Sequence, residues 1–185
     1  MSESFLQIKN LSVEFRTFDG TVKAINNLNL ELEKGKTIGL VGETGAGKTT
    51  TALAIMGLIP SPPGVITSGE ILFEGKNLLQ ANKKELQEYR GNKIAMIFQN
   101  PMTSLNPVYT VGHQIAAVIM EHQKISKRDA MQKAGEMLET VGIPKERLKN
   151  YPHEFSGGMK QRVCIAMGLA CNPSLLNSRR AYNSP

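Results

Sequence analysis

The chain has 185 residues, 41% of them hydrophobic, and a formal charge of +6, enough to bury one core of ordinary size. Its Lys and Arg residues are scattered without interleaved aromatics, which reads as a solvated surface and argues against nucleic acid as a partner. No apolar stretch approaches the ~20 residues that span a bilayer, and Met1–Gln7 lacks the basic and apolar regions of a signal peptide, so a soluble protein is expected, reaching any membrane through a partner.

Residues 5–35 alternate in strand fashion, with Leu28, Leu30 and Leu32 facing one way and Asn29, Glu31 and Glu33 the other. Thr37-Ile38-Gly39-Leu40-Val41 is a short, mostly apolar run suited to a buried strand. Gly42-Glu43-Thr44-Gly45-Ala46-Gly47-Lys48-Thr49 follows at once, and Thr49–Ile55 reads as a helix. The spacing G-x-x-x-x-G-K-T is that of a phosphate-binding loop. Its glycines let successive N–H groups face phosphate oxygens, and Lys48 adds charge at the β- and γ-phosphates. The Thr49 hydroxyl is a candidate Mg²⁺ ligand, with Thr50 beside it at the start of the helix. Alone, this loop leaves GTPases, kinases and other phosphate-loop enzymes open.

Further along, Ser61-Pro62-Pro63-Gly64 is a turn, and Gly69–Gly75 joins the first strands in a small antiparallel sheet. Ile94–Phe98 is a strand-type run ending at Gln99. From Pro101 to about Glu154 the chain reads as mostly helical. Val111–His122 is one helix, and a second is capped by Ser126 and runs to about Val141. Ala130, Ala134, Met137, Leu138 and Val141 form its apolar stripe, with Met131 outside it at the surface. The helix Lys160–Ala170 is rich in Val, Ile, Ala, Met and Leu and reads as buried. Cys164 and Cys171, seven apart on one face, read as core thiols in a reducing compartment.

Phe155-Ser156-Gly157-Gly158-Met159-Lys160-Gln161 places a serine and two glycines at a helix start, exposing N–H donors and a hydroxyl to an anion. This segment resembles the signature of ATP-binding cassette (ABC) ATPases. Gln99-Asn100-Pro101-Met102-Thr103-Ser104-Leu105-Asn106-Pro107 and Tyr151–Met159 are similar to the ATP-binding subunits of oligopeptide, dipeptide and nickel importers. The similarity runs from about Leu6 to Leu176. It implies an α/β fold: a P-loop NTPase core with a parallel sheet, a flanking antiparallel β subdomain and a helical subdomain at about 101–157. The nucleotide-binding domain would span 5–176, with the C-terminal part of the core missing.

The resemblance also implies the cofactors ATP and Mg²⁺ and a place for each residue. Residues 42–50 hold the phosphates. Gln99 resembles a glutamine that senses the γ-phosphate and can ligand Mg²⁺, although a strand-terminal Gln is by itself an ordinary polar cap. Phe15 stands where the family stacks an aromatic on adenine; Phe18 is its rival, and a core role for Phe15 is the plain alternative. Ser156, Gly157, Gly158, Met159 and Gln161 act on ATP held by the opposite subunit of a head-to-tail dimer. The implied partners are a second ABC ATPase subunit, identical or different, transmembrane permease subunits gripped by the helical subdomain and, indirectly, an extracytoplasmic solute-binding protein. The implied location is cytoplasmic, on the inner face of the cell membrane.

After Leu175-Leu176 the family continues Ile-Ala-Asp-Glu-Pro-Thr-Thr-Ala-Leu-Asp, whose Asp supports Mg²⁺ and whose Glu polarises water. Here the residues are Asn177-Ser178-Arg179-Arg180-Ala181-Tyr182-Asn183-Ser184-Pro185. One codon series for the family segment, shifted by a single inserted A, encodes this tail followed by a stop. Residues 177–185 are therefore expected to be out-of-frame translation, from a mutation or a sequencing error. The general base and switch histidine would then be absent, leaving a chain that binds ATP but does not hydrolyse it. Unpaired strand edges and low solubility are expected as well. The alternatives are a functionless remnant of a broken gene and a soluble ABC ATPase unconnected to transport.

Overall fold

The alternation at the N-terminus builds a sheet. In the computed structural model, which describes residues 4–98 and 100–178, β1 (Leu6–Thr17), β2 (Gly20–Leu32), β3 (Gly64–Phe73) and β4 (Lys76–Asn77) form an antiparallel sheet in the order β2-β1-β3-β4. The buried side chains of β1 are Leu6 and Ile8, then Leu11 and Val13. That switch from even to odd positions follows from a bulge. The register slips between Ile8 and Leu11, Asn10 takes φ 50°, and the Asn29 Oδ1 accepts its N–H at 2.9 Å. One extra residue keeps the apolar side chains on a single face. Opposite them lie Ile25, Leu32, Ile71 and Phe73, with Phe5 edge-on to Phe73 at 5.0 Å.

Helix α1 (Lys48–Ile55) buries Thr51, Ala54 and Ile55. The run Thr37–Val41, expected as a buried strand, is not one. It carries no regular secondary structure and has no ladder partner among the described residues, and Ile38, Leu40 and Val41 are 46%, 44% and 86% exposed. An apolar run carries strand propensity, but a parallel strand is buried only when other strands and helices cover it. Those neighbours are not among the described residues.

The chain divides into two compact units, the first up to Leu86 and the second from Gln87. A short helix, α2 (Lys83–Tyr89), buries no residue. In the second unit, β5 (Ile94–Ile97) pairs in parallel with β6 (Leu175–Ser178), joining Ile94 to Leu175 and Ile97 to Ser178. Around them are α3 (Pro101–Ser104), α4 (Val111–Gln123), α5 (Lys127–Thr140) and α6 (Gly157–Leu169). Ile115 and Ile119 of α4, Leu138 of α5, Val163 of α6 and, after the end of α5, Ile143 form the centre of one apolar cluster.

The capping residues set these helices. Thr110 accepts from His113 N at 3.3 Å to start α4, and Ser126 from Asp129 N at 3.1 Å to start α5. Ala130, Ala134 and Leu138 are fully buried, as their spacing requires. Met131 is not a surface residue: it is half-buried and packs against the cluster, because a long flexible thioether reaches back from the edge of the stripe. Helix α6 is buried on one side only, through Val163, Cys164 and Ala166, while Gln161 and Arg162 are exposed. Both cysteines are buried and unbridged, and burial pushes their thiols up from the ordinary range.

Candidate functional site

In the first unit the glycine loop is folded into a cradle against β2. Gly47 has φ 77° and caps α1; a Cβ there would lie 2.4 Å from the Ala24 carbonyl oxygen and 3.3 Å from Ile25 Cγ1. Only glycine satisfies both the left-handed backbone and that approach. Within the loop, Ala46 N donates to Glu43 O (3.2 Å) and Gly47 N to Gly45 O (2.8 Å). Thr44, Gly45 and Ala46 are exposed.

Lys48 curls back over the loop. Its Nζ donates to Gly42 O at 2.5 Å and Glu43 O at 2.6 Å, so the ammonium is held by backbone carbonyls at the loop's entrance. The first bond of α1 runs from Thr51 N to Gly47 O (2.8 Å), seconded by Thr51 Oγ1 at 3.0 Å. The N–H groups of Lys48, Thr49 and Thr50 precede it and leave the helix N-terminus. The Lys48 ammonium and the N-terminal N–H groups of α1 thus belong to one short segment, where the helix dipole favours an anion. That donor set fits a polyphosphate, and the Thr49 hydroxyl fits a hard cation bound to it.

Phe15 pairs with Val22 across the β1–β2 hairpin and with Gly64 of β3. Val22 is two residues before Ala24, whose carbonyl closes on Gly47, so Phe15 lies on the hairpin that carries the loop. It is half-buried; a Cβ on Gly64 would lie 3.1 Å from its Cε1. Phe18, at the hairpin turn, is fully exposed.

In the second unit Ser156 caps α6, its Oγ accepting from Met159 N at 3.3 Å. Ser156, Gly157, Gly158 and Gln161 are exposed, and Met159 is half-buried against the apolar cluster. Gln99 and the tail residues Arg179–Pro185 lie outside the described residues. Sequence reading passed over Gln114, a buried glutamine on α4. Its Oε1 accepts from Asn106 N, and its Nε2 donates to Asn106 O and Tyr109 O, each at 2.9 Å. It staples the turn that exposes Val108 and Tyr109. A lone glutamine in an apolar helix was the only signal for it.

Comparison with known proteins agrees with this geometry. The sequence profile described as ABC transporter matches residues 25–177. The chain belongs to the ABC transporter family. It is 56% identical over 173 residues to the oligopeptide transport ATP-binding protein of Bacillus subtilis (strain 168), a match covering 92% of this chain and 48% of that protein. It is 48% identical to the dipeptide transport ATP-binding protein of the same organism, over 94% of this chain and 52% of the relative. With the oligopeptide transport ATP-binding protein of Escherichia coli (strain K12) the identity is 47%, covering 95% and 52%. This ABC chain thus spans about half the length of the curated relatives it matches. Among solved structures it superposes with TM-score 0.82 and 26% identity on an ATP-binding cassette determined as a dimer in a post-hydrolysis state with ADP and phosphate, covering 94% of this chain and 72% of that one. Its antiparallel sheet and helices are those of an ABC cassette. Among the described residues no helix is long and apolar enough to cross a membrane.

Proposed function

We propose that this chain is the nucleotide-binding part of an ATP-binding subunit that energises import of peptides through an ABC transporter. The observation that carries the reading is the loop 42–49, with Gly47 closed on Ala24 and Lys48 poised over the loop's carbonyls. In this reading Gly42, Glu43, Thr44, Gly45, Ala46 and Gly47 wrap the phosphates. Lys48 neutralises the β- and γ-oxygens, and Thr49 holds Mg²⁺ while Thr50 lends its N–H. Phe15 stacks on the base. Bound Mg²⁺ would supply charge neutralisation at the phosphates. Ser156, Gly157 and Gly158 present a hydroxyl and N–H donors to the nucleotide of a second subunit, with Met159 and Gln161 on the same helix. Gln99 senses the γ-phosphate. The names of the relatives support peptides as cargo, and the dimeric cassette supports a two-subunit assembly; in this reading transmembrane permease subunits are the partners that the ATPase drives.

We further propose that the chain as written binds ATP without hydrolysing it, and that residues 177–185 are out of frame. Where the family carries Ile-Ala-Asp-Glu, this sequence has Asn177-Ser178-Arg179-Arg180. Two cations in place of two carboxylates cannot orient or deprotonate water. Asn177 adds support, because its Nδ2 is buried with no hydrogen-bond partner among the described residues, which is the mark of a polar side chain in an apolar position. Steady-state hydrolysis assays of wild type and Lys48→Ala test the first point. No turnover above the Lys48→Ala background is expected; turnover abolished by Lys48→Ala overturns it. Sequencing the codons after Leu176 tests the second, and a codon series that no single-base shift converts to the family segment refutes it.

A further inference from the structure

The segment leading into α6 is held more firmly than a surface turn requires. The Glu154 carboxylate takes the Tyr151 N–H on Oε2 and the Asn150 Nδ2 on Oε1, both at 2.5 Å. Glu154 N in turn donates to Tyr151 O at 3.0 Å, so two bonds close a ring between the same two residues. The next residue, Phe155, is buried, with the Arg147 guanidinium 5.1 Å from its ring centroid. Asn150 N donates to Arg147 O at 3.0 Å, and Val111 N to Asn150 O at 2.9 Å, tying the turn to the start of α4. Immediately after this fixed point, Ser156, Gly157 and Gly158 are exposed.

A run of Ser-Gly-Gly has little conformational preference of its own. Donors that must meet an anion gain from being fixed beforehand, since ordering them at binding costs free energy. We propose that Glu154, Asn150 and Arg147 form a clasp of positioning residues that aims the Ser156 hydroxyl and the Gly157 and Gly158 N–H groups at a nucleoside triphosphate's terminal phosphate. This deepens the reading of α6 given under the proposed function and rests on it. Glu154 orders the backbone before the helix, and Arg147 pins Phe155 into the core, so the helix N-terminus starts from one place and in one direction.

The test compares the 185-residue chain as wild type, Glu154→Gln, Glu154→Ala and Arg147→Gln. Two quantities are measured: amide exchange at Gly157 and Gly158, and Mg-ATP-dependent self-association by sedimentation. Glu154→Gln can still accept the Tyr151 N–H on its amide oxygen, while a flipped Asn150 amide accepts from its nitrogen. The expected result is exchange roughly three- to tenfold faster in Glu154→Ala and Arg147→Gln, with association weakened by a similar factor. Glu154→Gln should match wild type in both. Equal exchange in all four chains, or association that ignores the substitutions, overturns the clasp. If wild type does not associate with Mg-ATP, the two-subunit reading fails, and the exchange comparison alone decides the clasp.

Discussion

Gly47 is the residue on which the phosphate loop turns. A methyl group there must displace the Ala24 carbonyl, 2.4 Å away, at a backbone φ of 77°. Gly47→Ala is therefore expected to cost about 1–3 kcal/mol of stability and to abolish nucleotide binding, read by urea unfolding and a fluorescent ATP analogue. Wild-type binding by this variant would mean the close approach is not part of the site. Asn177 makes the opposite case. Its buried amide nitrogen has no partner among the described residues, so Asn177→Ile is expected to raise stability by about 1–2 kcal/mol. An unchanged or lower urea midpoint would show that the position tolerates a polar group. Both residues were visible in the sequence, for different reasons. The Gly-Lys-Thr spacing announces its own chemistry, whereas Asn177 stood out only against the family pattern. Gln114 went unread because nothing local says that a glutamine's three bonds fall on a turn eight residues earlier.

Local signals decided the elements best. Ser126 begins α5 as its position before a charged, apolar-striped run predicts, with Asp129 N donating to Ser126 Oγ at 3.1 Å. Ser126→Ala should cost about 1 kcal/mol and Ser126→Asp little, measured by thermal melts; equal melts for all three would remove the cap from the account. The turn Pro152–Glu154 before α6 carries a pH dependence of definite sign. The Tyr151 N–H, and with it the Asn150 amide, hold the Glu154 carboxyl below its ordinary value of 4.5. The folded form thus binds its proton less readily than the unfolded chain. The stabilisation is complete above the unfolded pKa and is lost as pH falls through the lower, folded one. Acid titration of wild type against Glu154→Gln should show a steeper fall below about pH 4.5 in wild type; parallel curves would contradict it. Helix α2 was missed because it buries no residue, so no apolar stripe marks it. Thr37–Val41 was misread for the reverse reason. Its composition is that of a strand, but pairing is a property of neighbours, and none of the described residues supplies one.

At the scale of the molecule the sequence carried the fold class and the family. The phosphate loop and the Ser-Gly-Gly helix start are short motifs whose chemistry requires those residues in that order; in the structure Gly47 closes on Ala24 and Ser156 caps α6. Each motif lies in a different compact unit, and composition gave no sign of that boundary. The antiparallel sheet was legible from alternation, although the bulge at Asn10 that preserves its apolar face was not. Ile38, Leu40 and Val41 in the first unit, and separately Phe98 and Leu176 in the second, are exposed apolar side chains of the kind that drive association. Light scattering at rising concentration should show non-specific aggregation that ATP does not reverse, and a clean monomer at every concentration would refute that expectation.

The central claim is that this ABC chain binds nucleotide through residues 42–50. Calorimetric titration of the 185-residue chain with Mg-ATP, beside Lys48→Ala, tests it most directly. The account predicts saturable one-site binding to wild type and a loss of at least about tenfold in Lys48→Ala, because the ammonium is the loop's only side-chain cation and would pair with the charged phosphate oxygens of bound ATP. Equal affinity in the two proteins, or no binding to wild type, would contradict it.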